Sequence, residues 1–338
     1  MNPDTGTTPE HTPTPASSRE ELLVSFHDVV SAHERIRPHV ARTPVHRYPL
    51  LDAQLGAEVW IKHENHQMIG CFKARGAINA ILGANDSVKG VVASSSGNHG
   101  QGVAYAAKMT GTQATIVVPE WAYLHKVAAI EALGASVEYF GTTSHEGRQR
   151  AAELADNESL LLLDDFDDPF IVAGNGTIAL ELLEEQPDLD ILVIPLGGGA
   201  LAAGCGIAAK TINPRLRTVA GQSEECQATS TSWRERRPVQ MPCSTIADGL
   251  AVDFPDATVV EMLVAYIDEI TLVSEDEIRH AVGLILQTTR NVVEPSGAVS
   301  IAICRKLRDN FAGRRIGVIA TGANIDLAIL NQSVADLL

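Results

Sequence analysis

Leu196-Gly197-Gly198-Gly199-Ala200-Leu201-Ala202-Ala203-Gly204 joins an apolar, β-rich run that begins at Ile191 to an apolar helical pattern. Glycines at such a junction let backbone N–H groups close around an anion, and the start of the helix adds a favourable dipole. A tight turn needs one glycine. Three in succession read instead as a phosphate cup. Gly197, Gly199 and Ala202 also fit a GxGxxA dinucleotide spacing. That fold wants an acid at the end of the next strand, about 20 residues on. Here the strand ends Ala220-Gly221-Gln222-Ser223 and Glu224 falls late, so a nicotinamide site is the weaker reading.

The same strand–loop–helix grammar repeats outward in both directions. Strands are predicted at 59–61, 90–94, 114–118, 136–140, 160–163, 191–196, 217–221 and 316–320. Helical patterns at 99–109, 123–133, 171–185 and 275–289 fall between them. This alternation predicts an α/β protein with largely parallel sheets flanked by helices. The series from 90 to 163 is self-contained and reads as a small domain inserted into a larger one formed by 20–89 and 164–338. Residues 1–19 are rich in Thr and Pro, lack an apolar core segment and carry acids, as expected of a disordered tail and not of a signal peptide.

The chain of 338 residues has 42 acidic against 26 basic side chains, a net charge of -16, which argues against nucleic-acid backbones and acidic membrane surfaces as partners. No apolar run is long enough to cross a bilayer. Cys71, Cys205, Cys226, Cys243 and Cys304 form no CxxC pair and no regular framework. They are expected to be reduced thiols in a cytoplasmic protein, neither disulfides nor a zinc site.

Three further stretches carry chemistry. Lys73, in Gly70-Cys71-Phe72-Lys73-Ala74-Arg75-Gly76-Ala77, follows an apolar strand pattern and stands among small residues beside an aromatic one. That setting suits a lysine held in a pocket as a Schiff base with a carbonyl cofactor better than a solvated charge. Ser94-Ser95-Ser96-Gly97-Asn98-His99-Gly100-Gln101-Gly102 opens another helix. One serine would suffice as a cap; three with Asn98 and His99 point to a carboxylate site at a helix N-terminus. Thr321-Gly322-Ala323-Asn324 follows the last predicted strand, and its threonine faces a cofactor or merely caps the terminal helix.

Taken in this order, the loops and the lysine resemble the fold type II pyridoxal-phosphate enzymes, and within them the serine/threonine dehydratase and serine racemase group. Arg42-Thr43-Pro44, Ala173-Gly174-Asn175-Gly176-Thr177, Ile246-Ala247-Asp248-Gly249 and Glu294-Pro295-Ser296-Gly297 complete the resemblance, which spans 36–326. It implies a two-domain, tryptophan synthase β-like fold and a homodimer. It also implies that Lys73 joins the cofactor aldehyde, with Phe72 beside the ring. Backbone N–H groups of Gly197, Gly198, Gly199, Ala200 and Leu201 would bind the cofactor phosphate, Asn98 the ring 3′-oxygen and Thr321 the pyridine nitrogen. Ser95, Ser96, Asn98 and His99 would surround the substrate carboxylate.

The implied activity is elimination: Lys73 takes the Cα proton of serine, threonine or 3-hydroxyaspartate, the β-hydroxyl leaves, and a 2-oxo acid and ammonia result. A threonine hydroxyl at the ring nitrogen cannot fully protonate it, so the ring is a weaker electron sink and rapid loss of a β-substituent is favoured over transamination. Ser96 stands where racemases of the group place a second acid–base residue, so racemisation by Lys73 and Ser96 is an alternative. A β-replacing synthase is another, and a non-catalytic binding protein is a third. Two departures stand out. Cys71 replaces the usual Ser or Ala and is expected to act in packing. Gln222 and Ala228 replace the acids, and Cys226 falls at the carbonyl position, of the group's divalent-cation site, so no metal of that type is expected, although Glu224 and Glu225 lie close by. Arg75 and Arg148 are weighed as receivers of a distal carboxylate, Arg148 more simply as a solvated charge. No regulatory domain is expected after Asp336.

Overall fold

The strands, in chain order, are β1 (Val45–Arg47), β2 (Glu58–Lys62), β3 (Val91–Ser94), β4 (Ala114–Val118), β5 (Ser136–Tyr139), β6 (Leu161–Leu162), β7 (Ile191–Pro195), β8 (Arg217–Ser223), β9 (Glu269–Val273) and β10 (Arg315–Ile319). The computed structural model describes residues 23–84, 88–163 and 168–335; the tail expected at 1–19 lies outside them. One sheet has the order β1-β2-β10-β7-β8-β9, the other β5-β4-β3-β6. All pairings are parallel except β1 with β2. Every residue of β7 is buried, as a central parallel strand covered on both faces requires. β8 runs to Ser223, where Gln222 and Ser223 pair with Leu272 and Val273 of β9.

Helices occupy the faces. The helix Lys73–Gly83 packs on both Asn98–Thr110, which follows β3, and Pro169–Glu185, which precedes β7. Its neighbours are brought close by glycine. A Cβ at Gly102 would stand 2.9 Å from the Cβ of Lys73, and one at Gly174 would stand 2.7 Å from the carbonyl oxygen of Arg75. Small residues on two helices thus let the Lys73 helix sit at the junction of the two sheets, where the last strand residues of β3, β7 and β10 open into loops.

Two expectations are corrected here. Arg75 is fully buried, its guanidinium donating to Glu64 at 2.8 and 2.9 Å and to Glu181 at 2.8 and 2.9 Å. Lys62 Nζ completes the cluster, 2.6 Å from Glu181. Burial alone would lower the pKa of Arg75, but the charges of Glu64 and Glu181 outweigh it and hold the guanidinium above its ordinary value. With both acids bound, Arg75 has no face left for a substrate carboxylate; Arg148 is exposed. The second correction concerns the cysteines. Cys226 and Cys243 pair in an isolated antiparallel bridge and form a disulfide. Their separation of 17 residues matches no short motif, and only the return of the chain alongside the end of β8 brings them together. Cys71, Cys205 and Cys304 are buried outside any disulfide.

Candidate active site

The segment before Lys73 is zipped to the loop after β10. Phe72 N–H donates to the Thr321 carbonyl at 3.0 Å, Ala323 N–H to the Gly70 carbonyl at 2.8 Å, and Cys71 pairs with Gly322. These bonds set Lys73 at the first turn of its helix, half-buried, with Nζ 5.1 Å from the centre of the Phe72 ring. Cys71 is fully buried.

Lys73 and Asn98 line two adjoining cavities. The narrower one has the run Gly197 to Leu201 as one wall, Phe72 and Thr321 as another, and Asn175 and Glu294 behind. Gly199 adopts φ +111° as the N-cap of the helix Ala200–Ile212, so the amides of the first turn, which have no carbonyl a turn earlier, point into this space. A Cβ at Gly199 would meet Val259 Cγ1 at 2.6 Å, and the buried Asn175 Oδ1 beside the cavity has no hydrogen-bond partner. A cradle of N–H donors beside an aromatic ring and a lysine fits a phosphorylated aldehyde such as pyridoxal phosphate.

The wider cavity, about 410 Å³, is lined from one side by Ser95, His99 and Gln101 and from the other by Asp248 and Asn324. Lys126 and Asp248 face each other across it at 3.0 Å. Ser95 Oγ accepts from Gly97 N–H at 3.1 Å. His99 is buried with Nε2 2.9 Å from the Leu163 carbonyl, so that side of its ring is turned to the chain after β6. Ser96 is half-buried in the same loop but lies on the wall of neither cavity.

The residue roles suggested by sequence omit one side chain that the structure makes prominent. Glu294 is buried against the narrower cavity, where Oε1 accepts from Asn98 Nδ2 at 2.8 Å and Oε2 from Asn324 N–H at 3.1 Å. Asn324 Nδ2 in turn donates to Asn98 Oδ1 at 2.7 Å. Burial pushes the Glu294 carboxyl up to about 7 against the Asn98 donor, with the charge of Asp248 adding to the rise. Its signal in sequence was Glu294-Pro295-Ser296-Gly297, whose glutamate precedes a helix. There is no space for a side chain at Gly322: a Cβ would lie 2.4 Å from Glu294 Oε1.

At the position weighed for a cation, Gln222 Oε1 accepts from Ser230 N–H at 2.9 Å, Glu224 pairs with Lys306 at 3.0 Å, and Cys226 is in the disulfide. Among the described residues no group of three or more His, Cys, Asp or Glu side chains is placed to hold a metal ion.

A lysine at the meeting of an anion cradle and a polar cavity, both at the carboxyl ends of parallel strands, defines a cofactor-dependent enzyme of the α/β class. The chain belongs to the pyridoxal-phosphate dependent enzyme family, whose sequence profile matches residues 36–322. It is 35% identical over 316 residues to the L-threonine ammonia-lyase of Thermotoga maritima, covering 92% of this chain and 78% of that one. It is 37% identical over 308 residues to an L-threo-3-hydroxyaspartate ammonia-lyase of a Pseudomonas species, covering 90% and 97%. Among solved structures, it is similar to maize serine racemase, with a TM-score of 0.87 and 32% identity over 93% of this chain and 98% of that one. The processed form of threonine deaminase isoform 2 from Solanum lycopersicum gives 0.89 and 31% over 98% of each. Within its family the chain is a pyridoxal-phosphate-dependent ammonia-lyase of the serine/threonine dehydratase group.

Proposed function

We propose that the substrate is a β-hydroxy amino acid of the threonine and 3-hydroxyaspartate class, and that Lys73 is both the cofactor's attachment point and the base that takes the Cα proton. The observation that supports this most is the position of Lys73 on the walls of both cavities. When bound, pyridoxal phosphate supplies the electron sink that stabilises negative charge at Cα.

The protein's own groups do the rest. Phe72 would flank the cofactor ring. The N–H groups of Gly197, Gly198, Gly199, Ala200 and Leu201 would hold its phosphate. Thr321 would serve the ring nitrogen with a neutral hydroxyl, and Asn98, held by Glu294 and Asn324, would offer its remaining N–H to the ring oxygen. Ser95 and the first N–H groups of the helix Asn98–Thr110 bind the substrate carboxylate, with His99 fixing the loop through Leu163. Loss of the Cα proton to Lys73 and of the β-hydroxyl as water gives an enamine; its tautomer adds water and releases a 2-oxo acid and ammonia. Residues 90–163 act as a small domain on a larger one made of 20–89 and 164–338. A homodimer in the cytoplasm completes the proposal; among the described residues no helix is long and apolar enough to cross a membrane.

Elimination is favoured over two-base racemisation by the likeness to the L-threonine and L-threo-3-hydroxyaspartate ammonia-lyases. The test is a panel of serine, threonine and threo-3-hydroxyaspartate in both configurations, with 2-oxo acid, ammonia and enantiomer all measured. Equimolar oxo acid and ammonia from an L-isomer are expected. Conversion of L- to D-isomer without oxo acid would show that racemisation is the reaction.

A further inference from the structure

The disulfide lies between the two supports of the phosphate cup. Gly197, its first glycine, is held on one side by Thr229, whose Oγ1 donates to the Gly197 carbonyl at 2.7 Å. On the other side it packs so tightly that an added Cβ would stand 3.1 Å from both the Gly249 carbonyl oxygen and Leu250 Cα. Thr229 follows Cys226 by three residues, and Gly249 follows Cys243 by six. Besides the Cys226–Cys243 bond, the two segments are joined by the Ser244 N–H bond to the Glu225 carbonyl at 3.0 Å and through Glu275, which accepts from Ser223 Oγ at 2.6 Å, Thr245 Oγ1 at 2.7 Å and Ile246 N–H at 2.8 Å. Cys226 is fully buried, with Sγ 3.4 Å from the Val252 carbonyl oxygen, while Cys243 is half-buried. Of the two cysteines, Cys243 is therefore the one nearer solvent.

We propose that Cys226 and Cys243 form a reversible redox site whose bridge holds the cup in its phosphate-binding shape, so that oxidation retains the cofactor and reduction by a dithiol releases it. This rests on the reading of Gly197 to Leu201 as the phosphate site. In the reducing direction a dithiol's thiolate attacks Cys243 Sγ and Cys226 leaves as a thiolate that takes up a proton. The second thiol then resolves the mixed disulfide, so the dithiol is oxidised to a disulfide and both cysteines end as thiols. A low-molecular-weight disulfide reverses the sequence. In a compartment that keeps thiols reduced, a bridge of this kind reports oxidation.

The test uses holoenzyme treated with oxidised glutathione or with dithiothreitol and then desalted. Alkylation mass counts the thiols, far-UV circular dichroism reports folding, and release of bound cofactor is followed by absorbance. Release from the reduced wild type should be roughly tenfold faster than from the oxidised form, and Cys243→Ser should release at the fast rate after either treatment. Equal rates in the two forms, five alkylatable cysteines after oxidised glutathione, or loss of the far-UV signal on reduction would overturn the proposal. Gly199→Ala separates this from the cup assignment. A rate that answers to Gly199→Ala but not to redox state removes the bridge alone, whereas a rate indifferent to both removes the cup assignment as well.

Discussion

Glu294 shows how one buried carboxyl is made to serve a site. Both of its oxygens accept N–H bonds, yet burial raises it from an ordinary 4.5 to about 7. Between those values the folded chain keeps a proton that the unfolded chain has lost. Its contribution to stability is therefore fully present below about 4.5 and is lost as pH rises to about 7. Glu294→Gln removes the titration. The melting temperature of Glu294→Gln minus that of wild type should climb across this window and level off above it; a difference independent of pH would contradict the assignment. At Lys73 the expectation is chemical. Lys73→Ala should cost on the order of 10² to 10⁴ in turnover, the range of a lost general base, and more if attachment is lost too. Steady-state oxo acid production reads it.

At the scale of elements, the site depends on how closely helices approach. Gly102→Ala would push its Cβ against that of Lys73, now 2.9 Å from the ideal position, and shift one helix from the other. A loss of about 1–3 kcal/mol in denaturant unfolding and a raised substrate KM are expected. An unchanged midpoint would mean that the two helices do not meet as described. Much of this level was legible in the sequence, because β3 and β7 are apolar runs that end in Ser- or Gly-rich loops, and β10 carries Ile316, Val318 and Ile319 before Thr321-Gly322. Less so were β1, only three residues at a sheet edge, and β9, whose half-buried residues mix polar and apolar types. The Cys226–Cys243 bridge was invisible because residue spacing carries no trace of where a chain returns. Arg75 was misread for a related reason: its partners are 11 and 106 residues away.

For the whole molecule, the buried cluster of Arg75, Glu64, Glu181 and Lys62 ties β2, the Lys73 helix and the helix Pro169–Glu185 into one body. Arg75→Ala would leave Glu64 without its cation and Glu181 with Lys62 alone. A loss of about 3–5 kcal/mol in equilibrium unfolding follows from breaking such a pair. A loss below about 1 kcal/mol would show that the cluster holds little of the fold together. The chemistry of the whole molecule turns on a single covalent position. Reducing the holoenzyme with borohydride and mapping its peptides by mass spectrometry should find the pyridoxyl group on the peptide carrying Lys73. A pyridoxyl group on any other lysine would contradict the site.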